Sequence, residues 1–246
     1  MQPSSRISPD DTPPSAEQCR RNLFCLKWAT MLSIAGLFWL ILIVRDTASS
    51  HVEVVDDLML RRFHLLSQAA SGDWITPAAK FISLMGNWQF IAPIGVLLLL
   101  LTWQWRLSWH DFFLYLTAVA GSSLLTLLFK YAVNRPRQKI VPALEKAPFA
   151  SFPSGHTVFA LVVYSYLAHI ILSHTKPPPR WLAWLLYGLA AFLAGLVGVA
   201  RVYPGTHYPT DVVTGLLIGI PWLLAVIALD NHARTKVQSL TKTSGS

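Results

Sequence analysis

The sequence predicts an all-α integral membrane protein with six transmembrane helices, and three observations support this fold class. Of the 246 residues, 53% are hydrophobic and only 13% are charged, a balance typical of membrane proteins and not of soluble domains. The apolar residues lie in long runs, and a run of about 20 residues spans the hydrocarbon core of a bilayer. The polar side chains that interrupt these runs are gathered in three short segments.

Six apolar runs define the predicted helices. They cover residues 28–44, 82–105, 112–133, 158–172, 181–200 and 212–229. The fourth run is short and needs Thr157 and Ser173 to complete a span. The prediction divides the chain into an N-terminal tail, residues 1–27, a six-helix membrane domain, residues 28–229, and a C-terminal tail, residues 230–246. The first thirteen or so residues and the last ten are rich in Ser, Thr, Pro and charge, so we expect disorder there.

The first run has a second interpretation. Secretory signals also carry basic residues before an apolar core, here Arg20, Arg21 and Lys27, and small residues after it, here residues 48–50. The run has 17 residues, longer than the roughly 7–15 of a signal core, and a charged pair at residues 45–46 precedes any cleavage site. A retained membrane anchor is therefore favoured, and a cleaved signal is the alternative.

Residues 45–76 form the predicted loop after the first span, and we expect an amphipathic helix within it. Apolar residues recur at helical spacing between positions 54 and 66, while Arg61 and His64 fall elsewhere on the helical wheel. The residues on this face are Val55, Leu58, Met59, Arg62, Leu65 and Leu66. Such a helix either lies in the headgroup layer or caps the bundle from the solvent side.

The third polar segment, Arg201 to Asp211, contains a histidine and a carboxylate four residues apart. If both lie in one helical turn, Asp211 can accept a hydrogen bond from the imidazole of His207. That bond fixes the tautomer and leaves the other ring nitrogen with a lone pair for attack on phosphorus. Arg201 lies across a bend at residues 203–205, and its guanidinium can hold two phosphate oxygens.

The second polar segment, Pro153 to His156, precedes the fourth span. Backbone amides at a helix N-terminus favour an anion, Ser154 adds a hydroxyl donor, and Gly155 allows close approach of the backbone. His156 is placed to give a proton to a leaving oxygen. The first polar segment, Lys130 to Arg137, supplies positive charge from the end of the third span.

In order and spacing, these segments resemble the signature of the type 2 phosphatidic acid phosphatase superfamily. The matching motifs are Lys130…Arg137, Pro153-Ser154-Gly155-His156 and Arg201-x5-His207-x3-Asp211. The membrane branch of that superfamily includes lipid phosphate, phosphatidylglycerophosphate and undecaprenyl diphosphate phosphatases. The resemblance covers residues 54–229. Two positions depart from the family pattern, Gln138 in place of the usual Pro and Ala200 in place of the usual Ser.

The resemblance implies a role for each residue of the predicted active site. His207 would be the nucleophile that becomes phosphohistidine, Asp211 would orient it, and His156 would be the general acid. The phosphoryl oxygens would be bound by Lys130, Arg137, Ser154, Gly155 and Arg201. Arg135 is interpreted as a surface cation and is left out of this set. No metal and no cofactor are implied.

The expected activity is therefore hydrolysis of a lipid phosphate or diphosphate by a metal-independent membrane phosphatase, residues 28–229 being its catalytic domain. Polyprenyl diphosphate is the favoured substrate, followed by phosphatidylglycerophosphate or phosphatidate. The implied partners are the membrane and a lipid phosphate within the bilayer, with no nucleic acid. Two alternatives remain: a lipid phosphotransferase that uses the same phosphohistidine, and a non-catalytic membrane scaffold or transporter. The sequence does not indicate the oligomeric state.

Orientation follows from the distribution of Lys and Arg. With the N-terminus in the cytoplasm, the 20 Lys and Arg divide ten to ten between the two sides. Setting aside the four cations of the polar segments, Lys130, Arg135, Arg137 and Arg201, leaves ten against six in favour of this orientation. The expectation is a multi-pass protein of the plasma membrane, the inner membrane in a bacterium. The active site would lie at the non-cytoplasmic helix ends, facing the periplasm.

Overall fold

The structure is a computed structural model that describes residue 31 and residues 50–69, 74–104, 107–137, 150–175 and 177–243. Apart from Met31, the predicted first span and the N-terminal tail lie outside these ranges. The described helices are α1 (Ser50–Ala69), α2 (Ile75–Leu84), α3 (Trp88–Trp103), α4 (Trp109–Val133), α5 (Gly155–His174), α6 (Arg180–Val202) and α7 (Pro209–Thr243).

The described helices confirm an all-helical membrane protein. Among them, α4, α5, α6 and the Pro209–Arg234 part of α7 are each long and apolar enough to cross a bilayer, and α2 and α3 together can form one further, bent span. These elements correspond to five of the six predicted spans. Of the predicted first span, residues 28–44, only Met31 is among the described residues.

Helix α5 lies at the centre of the bundle. In its apolar stretch 61% of the residues are buried, against 22% in α4 and α6. Its residues Val158, Val162 and Tyr166 form the main core with side chains of α3, α4 and α7. Gly219 of α7 allows close packing on this helix, because a Cβ there would lie 2.9 Å from a methyl group of Leu161.

The predicted span over residues 82–105 is interrupted in the structure. Helix α2 begins earlier, at Ile75, and ends in a tight turn at residues 85–87, after which α3 continues at an angle of 46°. The Asn87 side chain caps α3 by accepting a hydrogen bond from the Trp88 amide at 2.7 Å. Apolar composition alone did not indicate this break, which is marked in the sequence only by the Gly86-Asn87 pair.

Helix α7 continues beyond the predicted end at residue 229. It remains helical to Thr243, so most of the C-terminal segment expected to be disordered is helical. Ion pairs within the bundle hold this extension. Arg234 of α7 donates to Asp230 at 2.7 Å in its own helix and also to Asp111 of α4.

These two carboxylates belong to a polar cluster at the end of the bundle away from the three polar segments, here called the opposite-end cluster. Asp230 is fully buried and accepts hydrogen bonds from His110 at 2.7 Å and from His169 at 2.6 Å. Asp111 is paired with His174 at 3.0 Å. The cluster comprises His110, Asp111, His169, His174, Asp230 and Arg234. It ties together α4, α5 and α7.

Helix α1 lies within residues 45–76, where a helix was predicted, and it rests against the start of α7. Asp56 and Leu60 face the bundle and are buried, whereas Val55, Leu58 and Leu65 are more than half exposed. The apolar face predicted from the sequence therefore points away from the described helices.

Candidate active site

The three polar segments meet at one end of the bundle, and hydrogen bonds join them. The backbone amide of Ser154 donates to the backbone carbonyl of Asp211 at 3.0 Å, which links the second segment to the third. Arg137 donates to the carbonyl of Thr206, which links the first to the third. Lys130 donates to the carbonyl of Ala150, just before the second segment. The ends of α4 and α6 and the starts of α5 and α7 thus form one site.

A turn between α6 and α7 folds His207 back toward Arg201. Gly205 has a φ of 72°, a left-handed conformation that glycine adopts without steric cost. The carbonyl of Arg201 then accepts hydrogen bonds from the His207 amide at 3.2 Å and from the Thr206 hydroxyl at 2.7 Å. The predicted bend at residues 203–205 is confirmed, and it places an arginine and a histidine side by side.

His207 is paired with Asp211 as its spacing predicts. Nδ1 of His207 lies 3.4 Å from Oδ2 of Asp211, and both side chains are buried. A proton on Nδ1 faces the carboxylate, so Nε2 carries the lone pair. Burial lowers the pKa of His207 to about 4 despite the opposing effect of Asp211, which keeps the imidazole neutral near pH 7.

Asp211 has a second ionic partner that the sequence analysis missed. Arg135 donates from Nη1 to Oδ1 of Asp211 at 2.9 Å, and the arginine is only 7% exposed. The interpretation of Arg135 as a surface cation is therefore wrong. Burial opposes its charge, but the carboxylates of Asp211 and Asp56 outweigh this effect and raise the pKa of Arg135.

The second segment forms the start of α5. Ser154 is the N-cap, and the first intrahelical bond runs from the Val158 amide to its carbonyl, so the amides of residues 155–157 precede the hydrogen-bonded helix. The Ser154 hydroxyl accepts a hydrogen bond from Thr157 at 3.0 Å, which leaves its own proton for another acceptor. This arrangement suits an anion at the helix N-terminus.

Three cations of the site, Lys130, Arg137 and Arg201, interact electrostatically with one another and with His156. Arg201 is buried, and its Nη1 donates to the hydroxyl of Ser83 on α2 at 2.9 Å. Burial, followed by the charge of Arg201, lowers the pKa of Arg137. Like charges held this close create a strongly positive site that a phosphate group would neutralise.

His156 lies beside the turn between α2 and α3. A Cβ on Gly86 would lie 2.6 Å from the backbone oxygen of His156 and 3.0 Å from its Cβ, so only glycine fits at this contact. Gly155 has more room, since a Cβ there would meet a methyl group of Thr126 at 3.1 Å. The structure thus brings all eight sequence-predicted site residues to one end of the bundle.

Four further residues surround the site without having been predicted. They are Asp56 on α1, Ser83 and Gly86 around the end of α2, and Arg135 after α4. Their partners are far away in the chain, and periodicity carries no information about such contacts. Among the described residues, no three His, Cys, Asp or Glu side chains are grouped as metal ligands.

Comparison with known proteins identifies the family. The profile of the PAP2 superfamily matches residues 111–234, which include all three polar segments. The chain belongs to the PAP2 superfamily, and its long apolar helices make it a membrane protein of that group.

Individual relatives agree with this assignment. The chain is 29% identical over 198 residues to phosphatidylglycerophosphatase B of Bacillus subtilis, covering 80% of this chain and 94% of the relative. The crystal structure of a transmembrane PAP2 phosphatidylglycerolphosphate phosphatase from the same organism superposes with a TM-score of 0.73 at 26% identity, over 81% of this chain and 96% of that one. A shorter match, 39% identical over 69 residues and 28% of either chain, is to an undecaprenyl-diphosphatase of Sulfolobus acidocaldarius.

Proposed function

We propose that this membrane lipid phosphatase of the PAP2 superfamily hydrolyses a lipid phosphate or diphosphate in two steps through a phosphohistidine at His207. One observation carries the proposal: the buried imidazole of His207 is paired with Asp211 on one nitrogen and lies close to the cations Arg137 and Arg201. That combination supplies both a nucleophile and stabilisation for a transferring phosphoryl group.

In the first step, the Nε2 lone pair of His207 forms a bond to phosphorus while the bond from phosphorus to the leaving oxygen breaks. The leaving oxygen takes a proton from His156, which enters this step protonated because the negative charge of the bound phosphate offsets that of the neighbouring cations. Asp211 stabilises the positive charge that develops on the imidazole. The product of this step is phosphohistidine together with a free lipid alcohol or, from a diphosphate, a lipid monophosphate.

In the second step, water attacks the phosphohistidine. His156, now neutral, accepts a proton from the water, and the bond between phosphorus and Nε2 breaks with its electrons returning to His207. Inorganic phosphate leaves. In both steps Lys130, Arg137 and Arg201 offset the negative charge on the oxygens of the phosphoryl group, and Ser154 with the amides at Gly155 donates hydrogen bonds.

We infer that this chemistry needs no metal ion. The charges that surround the proposed phosphate position are cationic side chains, whereas metal-assisted phosphoryl transfer uses clustered carboxylates. The nearby carboxylates of Asp211 and Asp56 are both engaged by Arg135.

Two substrate classes have separate support. The sequence-based expectation places polyprenyl diphosphate first, and the match to an undecaprenyl-diphosphatase agrees with it over 28% of the chain. Phosphatidylglycerophosphate as the substrate is supported by the similarity to phosphatidylglycerophosphatase B, which extends over 80% of the chain. Either lipid would enter the site sideways between helices, while its tail remains in the bilayer.

For location, we propose a bacterial inner, or plasma, membrane with the site facing the periplasm. The excess of Lys and Arg on the predicted cytoplasmic side supports this orientation once the cations of the polar segments are set aside.

The deciding experiment measures phosphate release from a panel of lipids by the purified protein in detergent, with a chelator present throughout. The panel contains a polyprenyl diphosphate, phosphatidylglycerophosphate, phosphatidate and a soluble sugar phosphate. Release from one or more lipids, unaffected by chelator, is expected. A strict requirement for added Mg²⁺ would contradict the metal-free mechanism, and phosphate recovered on an alcohol acceptor would identify a phosphotransferase.

A further inference from the structure

The carboxylate of Asp211 is held from two sides. Its Oδ2 faces Nδ1 of His207 at 3.4 Å and accepts a hydrogen bond from the Tyr208 amide at 3.0 Å. Its Oδ1 accepts from Arg135 at 2.9 Å. Both oxygens are thus committed, and the contact with Arg135 fixes the orientation in which the carboxylate meets the imidazole.

Arg135 is itself held by three polar side chains and an aromatic ring. Nη1 donates to the Thr210 hydroxyl at 2.8 Å as well as to Asp211, and Nη2 donates to Oδ2 of Asp56 at 2.8 Å. The guanidinium also lies over the ring of Tyr208, 3.9 Å from its centroid. A planar fork with several donors can satisfy these contacts together, and a lysine ammonium cannot.

Asp56 completes the network from α1. Its carboxylate is fully buried and accepts hydrogen bonds from both the Thr210 amide, at 3.1 Å, and the Thr210 hydroxyl. Since Thr210 is in the first turn of α7, Asp56 anchors α1 to the helix that carries Asp211. A buried carboxylate with this many hydrogen-bond donors holds a fixed position in the fold.

The balance of charge explains why two carboxylates share one arginine. Were Arg135 paired with Asp211 alone, its positive charge would be directed entirely at that carboxylate and would weaken the attraction of Asp211 for a cationic His207. Asp56 draws on the same guanidinium from the other side. Asp211 therefore keeps negative charge for the imidazole while remaining fixed in place.

We propose that Arg135 and Asp56 are positioning residues for the reaction: they hold Asp211, and through it the attacking imidazole of His207, without touching the phosphate. This inference rests on the proposed role of His207 as nucleophile. It separates Arg135 from Arg137 two residues later, whose guanidinium belongs to the cationic group around the phosphate position.

The test compares Asp56→Asn and Arg135→Lys with two controls that make the same chemical changes nearby. Asp57→Asn alters the next carboxylate on α1, and Arg62→Lys alters an exposed arginine of the same helix. For each purified variant, kcat, KM, the inhibition constant of inorganic phosphate and the pH profile of kcat/KM are measured on the best lipid substrate.

The two network variants are expected to lose about 10- to 100-fold in kcat, because a catalytic group displaced by about 1 Å costs that much. Their KM and phosphate inhibition should stay close to wild type, since the cations that bind phosphate are unchanged. The acid limb of kcat/KM should also move, because the surroundings of His207 have changed. Both controls should behave as wild type.

A double variant gives a further check. When Asp56→Asn and Arg135→Lys are combined, the loss in kcat should be smaller than the product of the single losses, because both break one network. Retained phosphate inhibition shows that a slow variant is still folded.

Three results would overturn the inference: an unchanged kcat in both network variants, a raised KM at constant kcat, or losses that simply multiply. A raised KM would instead make Arg135 a phosphate ligand. If the wild-type protein itself released no phosphate from any lipid, the proposed function would fail, and this outcome is distinct from all three.

Discussion

The backbone amide of Ser154 donates a hydrogen bond to the backbone carbonyl of Asp211 at 3.0 Å, so the cap of α5 and the first turn of α7 are directly joined. Gly215, one turn further along α7, favours this close approach, because a Cβ there would make a tight contact of 3.0 Å with the Ser154 carbonyl oxygen. The helix end proposed to receive the phosphate and the carboxylate proposed to orient the nucleophile are therefore fixed relative to each other by the main chain.

The most direct prediction concerns the nucleophile. His207→Ala should lower kcat by several orders of magnitude and abolish any acid-labile phosphoenzyme, because the covalent intermediate cannot form. Rapid quenching with labelled substrate measures both quantities. His232→Ala, which removes an exposed histidine of α7, is the control and should keep full activity. If His207→Ala retained about a tenth of wild-type activity, the barrier would have risen by only ~1.4 kcal/mol, and the covalent mechanism would be wrong.

A second prediction concerns pH. As the proposed nucleophile, His207 must be neutral to attack, so activity should fall as pH decreases through its pKa. Burial lowers that pKa to about 4, so the loss due to His207 should begin well below the unperturbed value of about 6.5. The measurement is kcat/KM against pH, corrected for ionisation of the substrate phosphate by a separate ³¹P titration. A limb of the enzyme itself near pH 6.5 would show that His207 is far less shielded from water than the structure indicates.

A third prediction concerns sidedness. Single cysteines at Arg61 on α1 and at Arg180 at the start of α6 occupy exposed positions at opposite ends of the bundle. In intact cells, and in a background lacking Cys19 and Cys25, an impermeant thiol reagent should modify residue 61 and spare residue 180. Permeabilised cells provide the control, since both positions should then react. Modification of residue 180 alone would place the site on the cytoplasmic side.

A fourth prediction concerns Ser83. Its hydroxyl accepts a hydrogen bond from the buried Arg201, and bonds to charged groups contribute about 1.5–3 kcal/mol. Ser83→Ala should therefore raise KM and weaken phosphate inhibition by about tenfold or more. Ser123→Ala removes a hydroxyl that donates to the Val119 carbonyl of its own helix, and it should have little effect. An unchanged phosphate affinity in Ser83→Ala would show that Arg201 is held adequately by its other contacts.

A fifth prediction separates stability from catalysis. Asp230→Asn removes the buried charge that His110, His169 and Arg234 share in the opposite-end cluster. Breaking such a buried pair costs about 3–5 kcal/mol, so the melting temperature in detergent should fall clearly. The folded fraction should hydrolyse lipid phosphate at the wild-type rate, because the cluster is at the far end of the bundle. An unchanged melting temperature would contradict the structural role.

The sequence predicted the positions of the described membrane helices well, because burial in lipid depends mainly on composition. The predicted span 112–133 corresponds to α4, Trp109–Val133, and the predicted span 181–200 corresponds to α6, Arg180–Val202. The site motifs were equally visible, since lone charges at the ends of apolar runs stand out. The pairing of His207 with Asp211 was expected from their four-residue spacing, although His207 lies in the turn before α7 and not in the helix itself.

Long-range contacts were beyond this reasoning. Arg135 and Asp56 are 79 residues apart, and the sequence around either residue contains no local pattern that predicts contact with the other. An arginine near a helix end is commonly exposed, which is why the sequence predicted a surface position for Arg135. The break at residues 85–87 was hidden for a different reason: the residues on both sides are apolar, and hydropathy cannot distinguish a bent helix from a straight one.

The contact between Gly86 and His156, at the turn between α2 and α3, bears on which part of the chain forms the candidate active site. The segment that matches the superfamily begins at residue 111, yet Gly86 lies against His156, Ser83 holds Arg201, and both belong to the chain before that point. A fragment restricted to the matched segment would keep every signature residue. It would lose the contacts that Ser83 and Gly86 make with Arg201 and His156. Exchanging residues 74–104 between relatives would therefore also exchange part of the candidate active site, even though every signature residue stays in place.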